Sequence, residues 1–304
     1  MDTWEDLRFG IISPRMDVLI PKNGEQDFAT LLNYNQVADV IRMARHGFRV
    51  IELNTDIGNL LTQALPHSTL DELAAVKQEM DVAYTVHLPI LSIEPASHVQ
   101  IVRHGAARAT VDTIRALEPL NPEMYVYHIS GEMAAHFMHL RMAGTTHAFV
   151  MRALQNFARE SLAYILDQTK IDPHRLAIET IQFPFDLTLE LADEFDTAVC
   201  FDTAHVLVGF SGPIDLMPAF ERALPRLAEI HLNDGPWQGP EHTVHFGKDH
   251  LPLGSGDLDV ATFINRCLEI QFGGPLIFEL SLDEALCSLD VIRASQSQAT
   301  LLSA

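Results

Sequence analysis

The chain has 304 residues, 47% hydrophobic and 20% charged, with a formal net charge of −21, which is the composition of a folded globular protein with ample core material. Nucleic-acid binding draws most of its affinity from Lys and Arg replacing condensed counterions, so this charge excludes an extended DNA- or RNA-binding face. Three widely spaced cysteines, Cys200, Cys267 and Cys287, exclude a disulfide framework and read as core thiols of a reducing compartment.

The opening "MDTWEDLRFG" carries neither a basic n-region nor an apolar h-region, and nowhere do about 18 apolar residues run unbroken. A cytoplasmic, soluble chain with no membrane span is expected. Eight short apolar runs rich in β-branched residues then follow one another: 8–13, 50–54, 83–89, 124–130, 175–180, 197–202, 227–234 and 276–281. Runs of this kind, apolar on both faces, are the signature of parallel strands covered by helices.

Helical patterns lie between them. Val37, Val40, Ile41 and Ala44 fall at i, i+3, i+4 and i+7, closed by Gly47, which predicts an amphipathic helix with a glycine C-cap. Thr69 and Glu72 have capping-box spacing for the helix that follows. Eight strands alternating with helices, and no low-complexity linker, predict α/β architecture as a single (β/α)8 TIM barrel over residues 1–304. An open doubly wound sheet is the alternative, but the glycine-rich GxGxxG turn after the first strand is missing.

Three connections, 14–35, 131–148 and 235–258, are longer than a barrel needs and would lie on its C-terminal face. The second carries Met133, Met138 and Met142, suited either to an adaptable apolar lid over a ligand or to a helix packed on the rim. His136 and His139 share one helical face there and read best as solvated.

Polar chemistry concentrates where the strands end. Their terminal residues are His87, His128, Glu179, Asp202 followed by His205, His231 and Glu279, and His250 follows in "KDHLPLGSGDLD". Each alone has a plain explanation: an isolated Asp such as Asp202 caps a helix, and a lone His packs. Together they resist it, because acids and imidazoles inside apolar strands are costly to bury unless paired or bound to metal. A barrel brings all eight strand ends to one mouth, where converging carboxylates repel without cations between them. Imidazole with carboxylate ligands suits Zn, Mn or Fe better than Ca or Mg. Glu52, ending the second strand, is expected to face the mouth as a substrate contact or a salt-bridge partner.

On "FDTAH" (Asp202 and His205), "HLND" (His231 to Asp234) and "DHLPLGSGDLD" (Asp249 to Asp259), the chain resembles the xylose-isomerase-like barrel superfamily, which holds the endonuclease IV family and many sugar isomerases and epimerases. The resemblance to endonuclease IV implies that His87, His128 and Glu179 hold a first divalent ion, and that Glu179, Asp202, His231 and Glu279 hold a second. It implies that His205 and His250 begin a third site, but the pattern breaks there. Lys248 stands where the family carries the third-metal Asp, and Asp249 reads as out of phase. Lys248 could supply to a phosphate the charge that ion would have given.

"AYTVHLP" and "NPEMYVYHIS" are most similar to the cobamide-remodelling phosphodiesterase branch, which implies cleavage of the phosphodiester in a corrinoid nucleotide loop. Three functions follow as expectations. The first is metal-dependent hydrolysis of a phosphoester in a small molecule, with two Zn or Mn ions and with Glu179, Glu279, His205 and Lys248 as catalytic groups. The second is sugar isomerisation or epimerisation with one Mn-type ion, which leaves His87 and His128 without a metal duty. The third is a catalytically silent binding barrel.

Overall fold

The computed structural model describes residues 3–15, 34–56 and 67–302. All eight apolar runs form strands: β1 (Arg8–Ser13), β2 (Val50–Asn54), β3 (Ala83–His87), β4 (Met124–Tyr127), β5 (Leu176–Glu179), β6 (Ala198–Asp202), β7 (Leu227–His231) and β8 (Pro275–Phe278). Every neighbouring pair is parallel, and β8 pairs back onto β1 to close the barrel. Several ladders stop earlier than the apolar runs do, so His128 and Glu279 stand one residue beyond their strands. At Glu279 the cause is visible: its amide donates to the side-chain Oδ1 of Asn233 at 3.1 Å instead of to the ladder.

Ten helices surround the strands among the described residues: α1 (Gln36–Arg45), α2 (His67–Glu79), α3 (Gln100–Leu117), α4 (Glu132–His139), α5 (Gly144–Thr169), α6 (Phe185–Phe195), α7 (Thr203–Leu207), α8 (Leu216–Ala223), α9 (Val260–Glu269) and α10 (Leu282–Leu302). None is long and apolar enough to cross a membrane. In α1 the expected stripe is buried at Val37, Val40 and Ala44, Asn35 caps the N-terminus through Oδ1 to the Ala38 amide at 2.9 Å, and Gly47 takes φ +99° just past the end. The capping box read at Thr69 is not the helix start, because α2 already runs from His67. Cys200 and Cys267 are buried as expected, but Cys287, on an outer face of α10, is exposed. Of the three long connections, residues 16–33 lie outside the described residues.

Strand alternation divides the buried side chains into two populations. Tyr84, Val86, Tyr125, Tyr127, Ile178, Val199, Phe201, Ile230 and Phe278 point out and merge with the helices in one continuous core. The other parity points into the barrel. There, Val50 with Ile277, and Val126 with Ala177 and Cys200, form small apolar clusters. The same parity, followed toward the C-terminal ends, delivers Glu52, Thr85, His87, Glu179, Asp202, Glu229 and His231, all buried.

The loop that carries His250 is held from one point. Asp234, fully buried, accepts the backbone N–H groups of Gly235 (2.8 Å), Gly254, Gly256 and Leu258 (2.9 Å each). At Gly256 only glycine fits, since a Cβ would stand 2.4 Å from Asp234 Oδ1. Asp234→Ala leaves four donors without their acceptor. At ~1–3 kcal/mol for each donor left buried and unsatisfied, and allowing water to recover some, we expect a loss of about 3 kcal/mol in urea unfolding. A loss under ~1 kcal/mol would show that the loop does not depend on this carboxylate.

Candidate metal centre

Asp202 ends β6 and caps α7, its Oδ1 accepting the amide of His205 at 2.7 Å. The capping reading of this Asp holds for Oδ1, while Oδ2 is turned toward the imidazoles, 3.8 Å from His205 Nδ1 and from His231 Nδ1. The three-residue spacing from Asp202 to His205 is that of a cap and the N3 residue whose amide it binds.

The strand-end residues gather into three groups that share members. In the first, His128 Nε2 lies 2.6 Å and His87 Nε2 3.3 Å from the same Glu179 oxygen, Oε2. In the second, Glu179 Oε1 and Glu279 Oε2 each lie 3.4 Å from His231 Nδ1, with Asp202 beside them. The third joins Asp202, His205 and His250. Within each group one nitrogen or oxygen per residue lies within 4.8 Å of the others. Glu179 belongs to the first and second, and Asp202 to the second and third.

Lys248 does not join them. It is exposed and is not among the residues lining the mouth cavity. Asp249 enters in its place, with Oδ2 3.0 Å from His250 Nδ1 and 3.8 Å from His205 Nε2. Asp249 stands one position off the family's third-metal Asp, yet the turn here, with Gly247 at φ +68°, carries its carboxylate to His250 and His205. Glu52 also departs from expectation. It is fully buried below the mouth, with Oε2 3.3 Å from His231 Nε2, so of its two expected roles it takes the salt-bridge one.

Three contributors were not read from the sequence. Asn233 donates Nδ2 to Glu279 Oε2 (3.3 Å) and to Asp202 Oδ2 (3.5 Å) while its Oδ1 holds the Glu279 amide. Glu229 sits two residues before His231 and therefore shares its inward parity, a signal that was present in "AEIHLND". Asp249 is the third.

Electrostatics follow from burial opposed by neighbours. Burial works against ionising Glu179, yet the charges of His128 and His231 hold it well below the usual 4.5. Glu279 is held low in the same way by His231 and His250. Burial opposes charge on His87 too, but its hydrogen bond to the Glu179 carboxylate raises it to about 9. His205 also reaches about 9, with burial outweighed by the charge of Asp202. Asp202 itself is pushed up by burial to about 6. Burial pushes His128 down instead, so without metal the imidazoles held above their ordinary value, His87, His205, His231 and His250, serve as the counter-charges of the acids.

The donor set fits divalent cations. Nδ1 of His231, fully buried, has no hydrogen-bond partner, and three carboxylates point at it. Lone pairs of one nitrogen and several oxygens turned toward a common point are repulsive until a cation lies between them.

A cavity of about 250 Å³ opens over the groups. Its lining combines polar groups (His87, His128, Glu179, His205, Asp249, His250 and Glu279) with the apolar residues Ile90, Leu91, Ala135, Ile181 and Phe210. Residues 131–148 supply part of this surface. They form α4 and the start of α5, with Met133 and Met138 packed on the core, so the segment is a helix on the rim. Within it His136 is exposed, as read, but His139 is part-buried against Phe246, with ring centroids 5.1 Å apart.

A closed parallel (β/α)8 barrel with clustered His, Asp and Glu side chains that could hold metal at the C-terminal mouth defines the class. The xylose isomerase-like TIM barrel model matches residues 40–299, and the chain belongs to that family. Among solved structures it is similar to a D-tagatose 3-epimerase-like protein (16% identity, 98% of this chain and 100% of that one, TM-score 0.69). It is similar also to 3-keto-D-glucoside 4-epimerase YcjR from E. coli (14%, 95% and 99%, 0.66) and to endonuclease IV from Thermus thermophilus (17%, 96% and 99%, 0.64). No curated protein matches the chain. At these identities the likeness to solved structures is one of fold.

Proposed function

We propose that this barrel is a metal-dependent hydrolase acting on a phosphodiester or phosphomonoester in a small molecule. The observation that carries this reading is the separate group formed by His87, His128 and Glu179 beside the group of Glu179, Asp202, His231 and Glu279. A one-ion isomerase needs only the latter. Zn or Mn would be held by these two sets, and His205 and His250 with Asp202 would hold a third ion or bind phosphate oxygens directly. Divalent cations bound there supply Lewis acidity toward phosphate oxygens and lower the pKa of water.

The chain's own residues do the rest. Glu279 is the most open of the three carboxylates in the second group, its side chain 12% exposed against 1% for Glu179 and none for Asp202. It is therefore the carboxylate that orients the attacking water and takes its proton. Asn233 fixes it by holding both its amide and its Oε2. His205 donates Nδ1–H to Thr180 O at 2.9 Å, which leaves Nε2 for the ligand side, next to Asp249 and His250. Lys248 has no role in this scheme.

The apolar part of the cavity lining takes the non-polar body of the substrate. Phe210, 3% exposed and on the cavity wall, contributes most there. A buried Phe is worth ~1.5–3 kcal/mol, so Phe210→Ala should raise KM about tenfold or more, with a smaller change in kcat. An unchanged KM for a substrate with a large apolar group would remove the wall from the account. The nucleotide-loop phosphodiester of a corrinoid, the branch that the strand motifs resemble, is the first natural compound to try.

The test of the reading is turnover of bis-p-nitrophenyl phosphate by the Zn- or Mn-loaded chain, together with its His128→Ala variant. Loss of turnover in the variant supports hydrolysis. Epimerisation of a sugar with undiminished activity in His128→Ala would replace it with the second reading. That alternative is favoured by one observation, the approach of Glu179 and Glu279 to His231 Nδ1 at 3.4 Å each, which places two carboxylates around one ligand position as a proton shuttle between two faces would require.

A further inference from the structure

Below the ligand groups the barrel interior holds two acids that no step above uses. Glu52 on β2 and Glu229 on β7 are fully buried. Glu52 Oε2 lies 3.3 Å from His231 Nε2, and Thr85 Oγ1 donates to Glu229 Oε1 at 3.1 Å. The remaining oxygens, Glu52 Oε1 and Glu229 Oε2, have no hydrogen-bond partner. Buried acids cost several kcal/mol each unless paired or hydrogen-bonded, so this arrangement needs a compensating contact.

His231 provides it. A neutral imidazole carries one proton on two ring nitrogens, and the partner of one nitrogen decides what the other can do. Nδ1 faces Glu179, Glu279 and Asp202, and Nε2 faces Glu52 at 3.3 Å. We propose that Glu52 is a positioning residue, accepting the Nε2–H of His231 and thereby turning the Nδ1 lone pair toward the three carboxylates that would share a metal with it. The inference rests on the metal-centre reading above. Glu52, Glu229 and His231 form a compact buried trio, and Glu229, anchored by Thr85, limits the room in which the Glu52 carboxylate could swing away. Register supports the geometry. Glu52 is paired with Thr85 across β2 and β3, one inward step below Asn54 and His87, so its carboxylate reaches the ligand ring from beneath and never enters the cavity.

The experiment measures Zn affinity by competition with a chromophoric chelator, together with Zn per chain, for the full-length wild type, Glu52→Gln and Glu52→Leu. Outer contacts of this kind govern metal affinity by roughly 10–100-fold. Glu52→Gln keeps an acceptor but loses the charge and should weaken one ion about tenfold; Glu52→Leu removes the acceptor and should approach about 100-fold. The ion on His87, His128 and Glu179 should keep its affinity in both. In the Zn-loaded wild type, the Nε2–H of His231 should also give a slowly exchanging, downfield proton resonance that Glu52→Leu abolishes. A packing role alone would lower the unfolding temperature of the metal-free chain and leave the affinity of the folded fraction intact. If the Leu variant does not fold, the isosteric Gln variant decides. Wild-type affinity for both ions in the variants overturns the inference while leaving the metal centre standing. So does an ion found between Glu52 and Glu229, since His231 Nε2 would then carry a lone pair. A wild type that binds no divalent ion ends the metal-centre reading, and this inference with it.

Discussion

Glu179→Gln should abolish both metal binding and turnover. One oxygen of Glu179 meets His87 and His128, and the other meets His231 and His205, so this carboxylate joins the first two ligand groups. Removing an outer contact to a metal ligand already costs about 10–100-fold, and a shared direct ligand must cost more. We expect turnover of bis-p-nitrophenyl phosphate to fall by more than about 100-fold and metal content to fall below that of His128→Ala. The fold should survive, because Gln has the same shape and the strand around it is held by Leu176 and Ile178 in the outer core. Retained metal and turnover in Glu179→Gln would mean that the two groups do not act through their common member.

The second large effect is on pH. In the metal-free chain His87 and His205 titrate at about 9, above their ordinary 6.5, because adjacent acids outweigh the burial that opposes their charge. Their contribution to stability is complete below about pH 6.5 and is lost as pH rises through about 9. Asp202, raised to about 6, has the same sign, contributing below about 4 and losing that contribution as pH rises through 6. Glu179 and Glu279, held below 4.5, act the other way, contributing above about 4.5 and losing it in acid. The metal-free chain should therefore melt at progressively lower temperature between about pH 6.5 and 9. A bound cation replaces the imidazole protons, so metal uptake must release protons and strengthen across that same interval. Saturating Zn or Mn should flatten the decline. Thermal melts of chelator-treated and metal-loaded protein from pH 5 to 9.5, with calorimetry in buffers of different ionisation enthalpy, check both halves. A metal-free melting temperature that rises toward pH 9, or metal uptake without proton release, would contradict the assignment of imidazolium counter-charges.

The barrel and most of the clustered acids and imidazoles were legible because strand chemistry is regular. Short apolar runs ending in His, Asp or Glu stand out against the cost of burying those residues, and parallel closure carries them to one place. Regularity also explains the misses. Asp249 lies in a turn rather than at a strand end, and Lys248 owed its role only to the family position it occupies, a role that its exposure removes. Glu229 obeys the alternation but looks like an ordinary charged residue inside "LAEIHLND" until Glu52, far away in sequence, closes on His231 from the other side of the barrel. Asn233 carries no charge and so gave no signal, although it holds Glu279 through two hydrogen bonds. Asp234 was visible in the "HLND" motif, but its work on the Gly254–Leu258 backbone depends on a loop fold that no local pattern encodes.

The central claim is that one carboxylate, Glu179, unites two cation positions at the barrel mouth. Crystals of the Zn- or Mn-loaded protein, measured at the zinc and manganese absorption edges, test it most directly. The account predicts at least two anomalous peaks, one bounded by His87, His128 and Glu179 and the other by Glu179, Asp202, His231 and Glu279. A single peak that leaves His87 and His128 without a metal, or no peak at all, would contradict it.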